Sequence, residues 1–252
     1  MVNSTLISAG GLVGYSHGAK ITNCYAKNGT VEVEGGYNVY AGGLVGQNLG
    51  QISKSYANVT IKTGVSATEK VIYAGGLVGH NSDVISNSFA TGSVNANYNS
   101  STAYLGGFVG YNIAKISNSY ASSNVNATST AGAIYAGGFI GYNKISAISK
   151  VIENNFACGN INVTSNAANV YASGFMSYDS GNCFKNIYRY ALQEIKTEVG
   201  SEGMLNAYKF GTESSLTDLN SASFYTDTLK WDATIWNLTN LDVNAKKLPT
   251  LK

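Results

Sequence analysis

Proline is almost missing from this 252-residue chain: the single one, Pro249, stands near the C-terminus. Each proline inside a sheet removes a ladder hydrogen bond, so a chain nearly free of it can be strand over most of its length. Charge is equally scarce. Asp, Glu, Lys and Arg make up 12% of the residues, and 16 cations against 14 anions leave a formal net charge of +2. A field that weak steers neither nucleic acid nor an anionic lipid surface. Arg189 is the only arginine, so bidentate phosphate reading is missing as well. No apolar run approaches the roughly 20 residues that span a bilayer, and no basic-then-apolar leader precedes the first repeat. The expectation is therefore no nucleic-acid partner and no membrane insertion by this chain. The repeat described below starts almost at Met1, which suggests a piece excised from a longer protein whose leader and anchor were removed. The three cysteines, Cys24, Cys158 and Cys183, are odd in number and far apart. Neither a disulfide framework nor a CxxC metal site can be read from them, and a bridge is not expected.

Apolar residues at 44% are enough for a sizeable core, and they recur on a fixed period. AGGLVG appears at Ala9, Ala41 and Ala74, LGGFVG at Leu105, AGGFIG at Ala136 and a decayed ASGFMS at Ala172. Counted from Gly10, Gly42, Gly75, Gly106, Gly137 and Ser173, the spacings are 32, 33, 31, 31 and 36 residues. A second block follows each time: ITNCYA, ISKSYA, ISNSFA, ISNSYA, IENNFA. A third alternates apolar and polar residues, as in VEV at Val31 and VTI at Val59. Three short strand signals per unit, with almost no helical period, predict an all-β fold: a parallel β-solenoid of about six three-strand coils. One coil cannot cover its own apolar face, but coils stacked at roughly 4.8 Å bury a continuous core in a rod on the order of 30 Å long. The handedness stays open, with right-handed winding the usual bias for β-crossovers.

Stacking sets equivalent residues above one another, and three columns follow. Tyr25, Tyr56, Phe89, Tyr120, Phe156 and Tyr188 form an aromatic column read as core rather than ligand platform. Asn48, Asn81, Asn112 and Asn143, with Ser16 and Asp179 at the ends, form an amide column whose side chains would hydrogen-bond along the stack, a structural ladder. Tyr40, Tyr73, Tyr104, Tyr135 and Tyr171 stand just before the glycines. Strand alternation leaves their direction open. If they point outward, they make with Tyr15, Tyr111 and Tyr142 beside the turns the best candidate contact surface.

The glycine blocks also suggest a phosphate loop. Such a cradle needs a helix N-terminus after it, often with Lys, Ser or Thr to hold charge or metal. Here Tyr15, Gln47, His80, Tyr111 or Tyr142 follows the last glycine, and another strand signal comes next. Five copies argue against one specialised pocket, so the glycines are read as close backbone passages.

The pattern GG-[LF]-[VI]-G-x-N followed by I-x-N-[SC]-[YF]-A resembles the GLUG motif, a bacterial cell-surface repeat also found in non-catalytic regions of IgA1-specific metallopeptidases. The resemblance runs from Ala9 to about Tyr188. It implies β-solenoid stacking and extracellular or cell-surface exposure. The sixth copy departs from it, with Ser173 and Ser177 in place of two glycines, as a terminal repeat losing register would. The peptidase activity does not carry over, because an HExxH helix is needed to hold zinc and neither His17 nor His80 is followed by Glu. Both histidines are read as exposed turn residues, and neither a metal nor a cofactor is expected.

Glycoside cleavage needs two carboxylates facing one bond. Up to residue 180 the acids are Glu32, Glu34, Glu69, Asp83, Glu153 and Asp179, mostly alone on their coils. Glu32 and Glu34 share a strand face, where a solvated charged edge is the simpler reading. After about Gly181 the composition changes. Eight of the 14 acids and both tryptophans lie there, and the glycine pairs stop. The repeat solenoid is placed at residues 1–188 and a capping region at 189–252, with a short helix within Ser214–Leu229. Trp231, Ile235, Trp236, Leu238 and Leu241 would cover the open strand edges of the last coil, while the first coil, with no such cap, would contact another coil or another molecule. The ending LPTLK lacks the remaining parts of a sortase signal. The reading is a non-catalytic stalk or adhesin-type module, with a host glycan or protein, or other domains of its parent protein, as partners. The alternatives are a carbohydrate-active solenoid enzyme and an accessory domain of a surface metallopeptidase.

Overall fold

Each sequence repeat becomes one coil of a parallel β-solenoid in the computed structural model, which describes residues 6–65, 71–99, 102–145, 150–166, 169–200, 205–207 and 210–252. A coil has three strand positions. The first is filled by Leu6–Gly10, Asn38–Gly42, Val71–Gly75, Thr102–Gly106, Ile134–Gly137 and Val170–Ser173, side by side in one parallel sheet. The second follows the glycine corner, as in Val13–Thr22, Val45–Ser53 and Val78–Asn81. The third starts at the aromatic of the second sequence block, as in Tyr25–Glu34, Tyr56–Val65 and Phe89–Tyr98. Register does not slip along the first position: Tyr40 lies opposite Tyr73, Tyr73 opposite Tyr104, and Tyr135 opposite Tyr171. The all-β parallel solenoid of six coils expected from the repeat is the fold observed.

Strand alternation sends Val39, Ala41, Val45, Ile52 and Ile61 inward, where they are fully or almost fully buried. Each large aliphatic side chain enclosed in this way contributes roughly 1.5–3 kcal/mol. At the corner Leu44, Leu77, Phe108, Phe139 and Phe175 stack in a column, with ring centroids 4.6 Å apart for Phe108–Phe139 and 4.9 Å for Phe139–Phe175. The glycine pair makes that corner possible. A Cβ on Gly42 would run into the carbonyl oxygen of Val45, and one on Gly43 into that of Gly76. The phosphate-loop appearance is thus a product of tight passage between stacked corners.

The turn between the second and third positions explains the rest of the sequence block. Asn23, Lys54, Asn87, Asn118 and Asn154 have φ between 48° and 57°, a left-handed conformation that asparagine tolerates better than most residues. The serine that follows closes the turn. Ser55 donates its hydroxyl to the Ser53 carbonyl at 2.8 Å and accepts the Cys24 N–H at 3.1 Å, and Ser88 does the same with Ser86 and Ser55. This serine ladder was not singled out in the sequence.

The amide column forms a continuous chain. Asn48 Nδ2 donates to Asn81 Oδ1 at 2.8 Å, Asn81 to Asn112 at 2.9 Å, Asn112 to Asn143 at 2.8 Å and Asn143 to the Asp179 carboxylate at 2.7 Å. All four asparagines are completely buried. At the other end Ser16 is buried too, but its hydroxyl has no partner, so the chain of side-chain bonds starts at Asn48.

Two expectations change at the C-terminal side. The sixth copy keeps its register: Val170, Tyr171, Ala172 and Ser173 pair with Ile134, Tyr135, Ala136 and Gly137. Ser173 and Ser177 are buried, and Ser177 donates to the Gly141 carbonyl of the preceding coil. Stacking also runs past Tyr188. Ile195–Val199 pairs with Ile161–Ser165, Leu205–Ala207 continues the first sheet, and Thr212–Ser214 pairs with Tyr188–Tyr190.

The second change concerns where the C-terminal aromatics go. A helical turn at Leu216–Leu219, closed by a Ser215/Asp218 capping box, leads into a π-helical turn at Phe224–Thr228. The chain then runs back along the flank of the rod instead of across its last coil. Trp231 Nε1 donates to the Asn154 carbonyl at 2.8 Å, Asn186 Nδ2 to the Thr228 carbonyl at 2.7 Å, and the Tyr120 hydroxyl to the Pro249 carbonyl at 2.8 Å. Leu219, Phe224, Tyr225, Leu229, Trp231 and Trp236 thereby form a second core with Phe89, Tyr120 and Phe156. On the last coil Leu192 stays 72% exposed. A column of flat rings offers these side chains more apolar area than the thin edge of a coil does, which is why they pack there.

Candidate contact surface

The residues before and after the glycine corner occupy adjacent strands that meet at one outer edge of the rod. Tyr40, Tyr73, Tyr104, Tyr135 and Tyr171 point outward there, since their neighbours Val39 and Ala41 and their equivalents fill the core. Successive centroids lie 4.8, 5.4, 5.1 and 4.4 Å apart. The direction left open by the sequence is thus resolved, and it is outward.

A second column stands beside the first. Tyr15, Gln47, His80, Tyr111, Tyr142 and Tyr178 are opposite one another in register. His80–Tyr111, Tyr111–Tyr142 and Tyr142–Tyr178 stack at 5.2, 5.3 and 4.7 Å. The two columns interlock edge to face. Tyr73 meets His80 at 5.7 Å and Tyr111 at 5.5 Å, and Tyr104 meets Tyr111 at 5.4 Å and Tyr142 at 5.0 Å. Such pairs contribute about 0.5–1.5 kcal/mol beyond the area they bury.

This geometry limits what the surface can do. Ring faces are occupied by the coils above and below, and ring edges by the neighbouring column. The outward part is a row of half-buried phenols repeating once per coil. Burial pushes the Tyr73 and Tyr104 hydroxyls up to about 12, with neighbouring tyrosines adding to the shift. Tyr40, Tyr111, Tyr135 and Tyr142 are raised in the same direction, again first by burial. These six phenols are neutral at ordinary pH.

His80 corrects the sequence reading. It lies in a strand, half-buried in the second column, and burial lowers its pKa despite an opposing backbone hydrogen bond. His17 is exposed as expected, also within a strand. Tyr178 belongs to the second column but was passed over, because Ser177 hides the glycine that marks the position in the other copies. Among the described residues no three or more His, Cys, Asp or Glu side chains gather as a metal group, and all three cysteines are free.

Two groups of carboxylates bear on a cleavage site. Glu153 is held between Lys115 at 2.6 Å and Lys185 at 2.9 Å; burial works against its charge, but the two lysines hold its carboxyl below its ordinary value. Glu32 and Glu34 line one wall of a shallow groove of about 400 Å³ with Lys62, Asn95, Asn97 and Asn126. They are neighbours on one strand face, and Glu32 lies 3.8 Å from the Lys62 ammonium. Glu69 lies outside the described residues.

The GLUG motif matches the chain four times, at residues 5–32, 37–62, 63–95 and 101–126. These four segments cover the first four coils. The fifth and sixth coils stack on them in the same register although they fall outside the matched segments. No curated protein and no solved structure gives a significant match. Among the described residues no helix is long and apolar enough to cross a membrane.

Proposed function

We propose that this array of GLUG repeats is a non-catalytic module of a bacterial surface protein. It works as a stiff rod that holds a contact surface, or a neighbouring domain, away from the cell. The observation that carries the reading is the stacking of six coils around one core, with no register shift along the first strand position, reinforced by a buried chain of asparagine amides. Such a stack resists bending because every coil is bonded to the next over three strands.

The contact surface is the tyrosine stripe: Tyr40, Tyr73, Tyr104, Tyr135 and Tyr171, with Tyr111 and Tyr142. Its partner is a host protein or glycan approached from the side. Stacking leaves hydroxyl edges, not ring faces, for that partner, which suits hydrogen bonding to a protein or to sugar hydroxyls better than the flat stacking of a sugar ring. The test is a Tyr104→Phe, Tyr111→Phe, Tyr142→Phe triple variant, which keeps the rings and removes the hydroxyls. Attachment to host cells or immobilised glycans should fall at least tenfold while circular dichroism and the melting temperature stay put. Undiminished attachment would leave only the spacer role.

The enzymatic alternative draws on the groove beside Glu32 and Glu34. A polysaccharide-cleaving site needs its two carboxylates across the bond from each other, whereas these two sit side by side on one strand. The non-catalytic reading therefore takes precedence. Polysaccharide hydrolysis that a Glu32→Gln, Glu34→Gln variant abolishes would reverse that order.

A further inference from the structure

We infer that the tyrosine edge of the fifth and sixth coils is an oxidative modification site, at which a peroxide-driven peroxidase joins Tyr135 to Tyr171, or Tyr142 to Tyr178, as dityrosine within one molecule. Tyr135 and Tyr171 are parallel to within 0° with centroids 4.4 Å apart, the tightest ring pair in either outer column. Tyr142 and Tyr178 follow at 4.7 Å and 18°. With the rings of each pair stacked in register, the carbons ortho to the two oxygens lie close to one another. The backbone holds them there, since each pair is directly opposite in a parallel ladder. The two pairs touch, Tyr135 meeting Tyr142 at 5.4 Å and Tyr178 at 6.1 Å, so four phenols form one cluster. All four are partly open to solvent.

Hydrogen peroxide, acting through a haem peroxidase, takes one hydrogen atom from each of two phenols and is reduced to two waters. The two phenoxyl radicals combine through their ortho carbons, forming one carbon–carbon bond. The hydrogen on each of those carbons then passes to the phenol oxygen as the rings become aromatic again. The protein loses two hydrogen atoms and gains a covalent bond between adjacent coils. On a module exposed outside a cell, where peroxide is encountered, that bond would stop the last full coils from peeling off the stack. The inference is independent of whether the stripe binds a partner.

The experiment treats dilute full chain with hydrogen peroxide and a haem peroxidase, separates monomer from multimer under denaturing conditions, and maps the cross-linked peptides. Dityrosine fluorescence is expected in the monomer, with a mass lower by two hydrogen atoms and a peptide joining Tyr135 to Tyr171 or Tyr142 to Tyr178. A Tyr171→Phe, Tyr178→Phe double variant keeps the stacking but removes one phenol from each pair, and should cut the monomer signal at least tenfold. The competing outcome is chance coupling between molecules. Tyr15, Tyr25 and Tyr37, each more than half exposed, would carry it. Dityrosine confined to multimers, mapping to those three residues, or persisting undiminished in the double variant would overturn the proposal.

Discussion

Two aromatic columns climb this rod on the same spacing and end in opposite surroundings. Tyr56, Phe89, Tyr120 and Phe156 stack at 4.7, 5.0 and 5.0 Å. Tyr40 to Tyr171, at the other edge, stack at 4.4 to 5.4 Å. Yet Tyr120 and Phe156 are sealed, while the other column stays half open. The difference comes from outside the repeats. The C-terminal segment lays Trp231 and Trp236 over the first column and never reaches the second. Where that cover runs out the first column opens too: Tyr25, one coil beyond Tyr56, is 52% exposed. A repeat builds ladders on every face, and a single non-repeating segment decides which of them becomes core.

Removing the cover tests this most severely. Trp236→Ala should cost about 3–5 kcal/mol, read as a lower urea midpoint, with increased binding of a hydrophobic dye as Phe89 and Tyr120 are uncovered. A loss below 1 kcal/mol would mean that the segment only rests on the flank. Next comes the amide chain buried between the faces. Asn112→Ala leaves the Nδ2 donor of Asn81 and the Oδ1 acceptor of Asn143 unpaired, at roughly 1–3 kcal/mol; the same urea titration reads it. In the open column Tyr104→Leu keeps apolar bulk but breaks four ring contacts, and a smaller loss of about 0.5–1.5 kcal/mol is expected in thermal melts. A larger loss than for Trp236→Ala would invert the comparison.

The mildest test is alkaline titration. Folded Tyr73 and Tyr104 ionise at about 12, above the ordinary value of 10.0. Between those values the unfolded chain gives up protons that the folded chain keeps, so stability is complete below about pH 10 and declines as pH rises toward 12. Tyr120, fully enclosed, is raised well above its ordinary value by burial. Phenolate absorbance should therefore climb in two phases, the open column first and the covered one only with unfolding. A single phase would mean that the two columns are equally accessible.

The repeat made the stacking, the inward Ile and Val positions and the Asn48–Asn143 ladder readable from sequence, because a fixed period converts spacing directly into neighbours. The direction of Tyr40 and its equivalents was not readable. Alternation must be anchored to a face, and the bend at Gly42–Gly43 breaks the count between strands. His80 was misjudged for a related reason: it aligns with tyrosines only once the corner is known to continue into a strand. The asparagine in I-x-N was visible in four of the five copies, with Lys54 in the other, but the left-handed backbone at that position was not. Furthest from reach was the destination of Trp231 and Trp236. Their bulk signalled burial, but a segment without a period carries no register to say against what.

The bond from Tyr120 to the Pro249 carbonyl spans 129 residues in sequence, whereas the amide rungs span 31 to 36. Closing the longer loop costs roughly 1 kcal/mol more in chain entropy, and it cannot happen until Pro249 has been made. As the polypeptide emerges, its coils can add one by one while the aromatic flank is still bare. The segment that carries Trp231 and Trp236 then seals that flank. A chain interrupted before Trp231 would leave Phe89, Tyr120 and Phe156 uncovered.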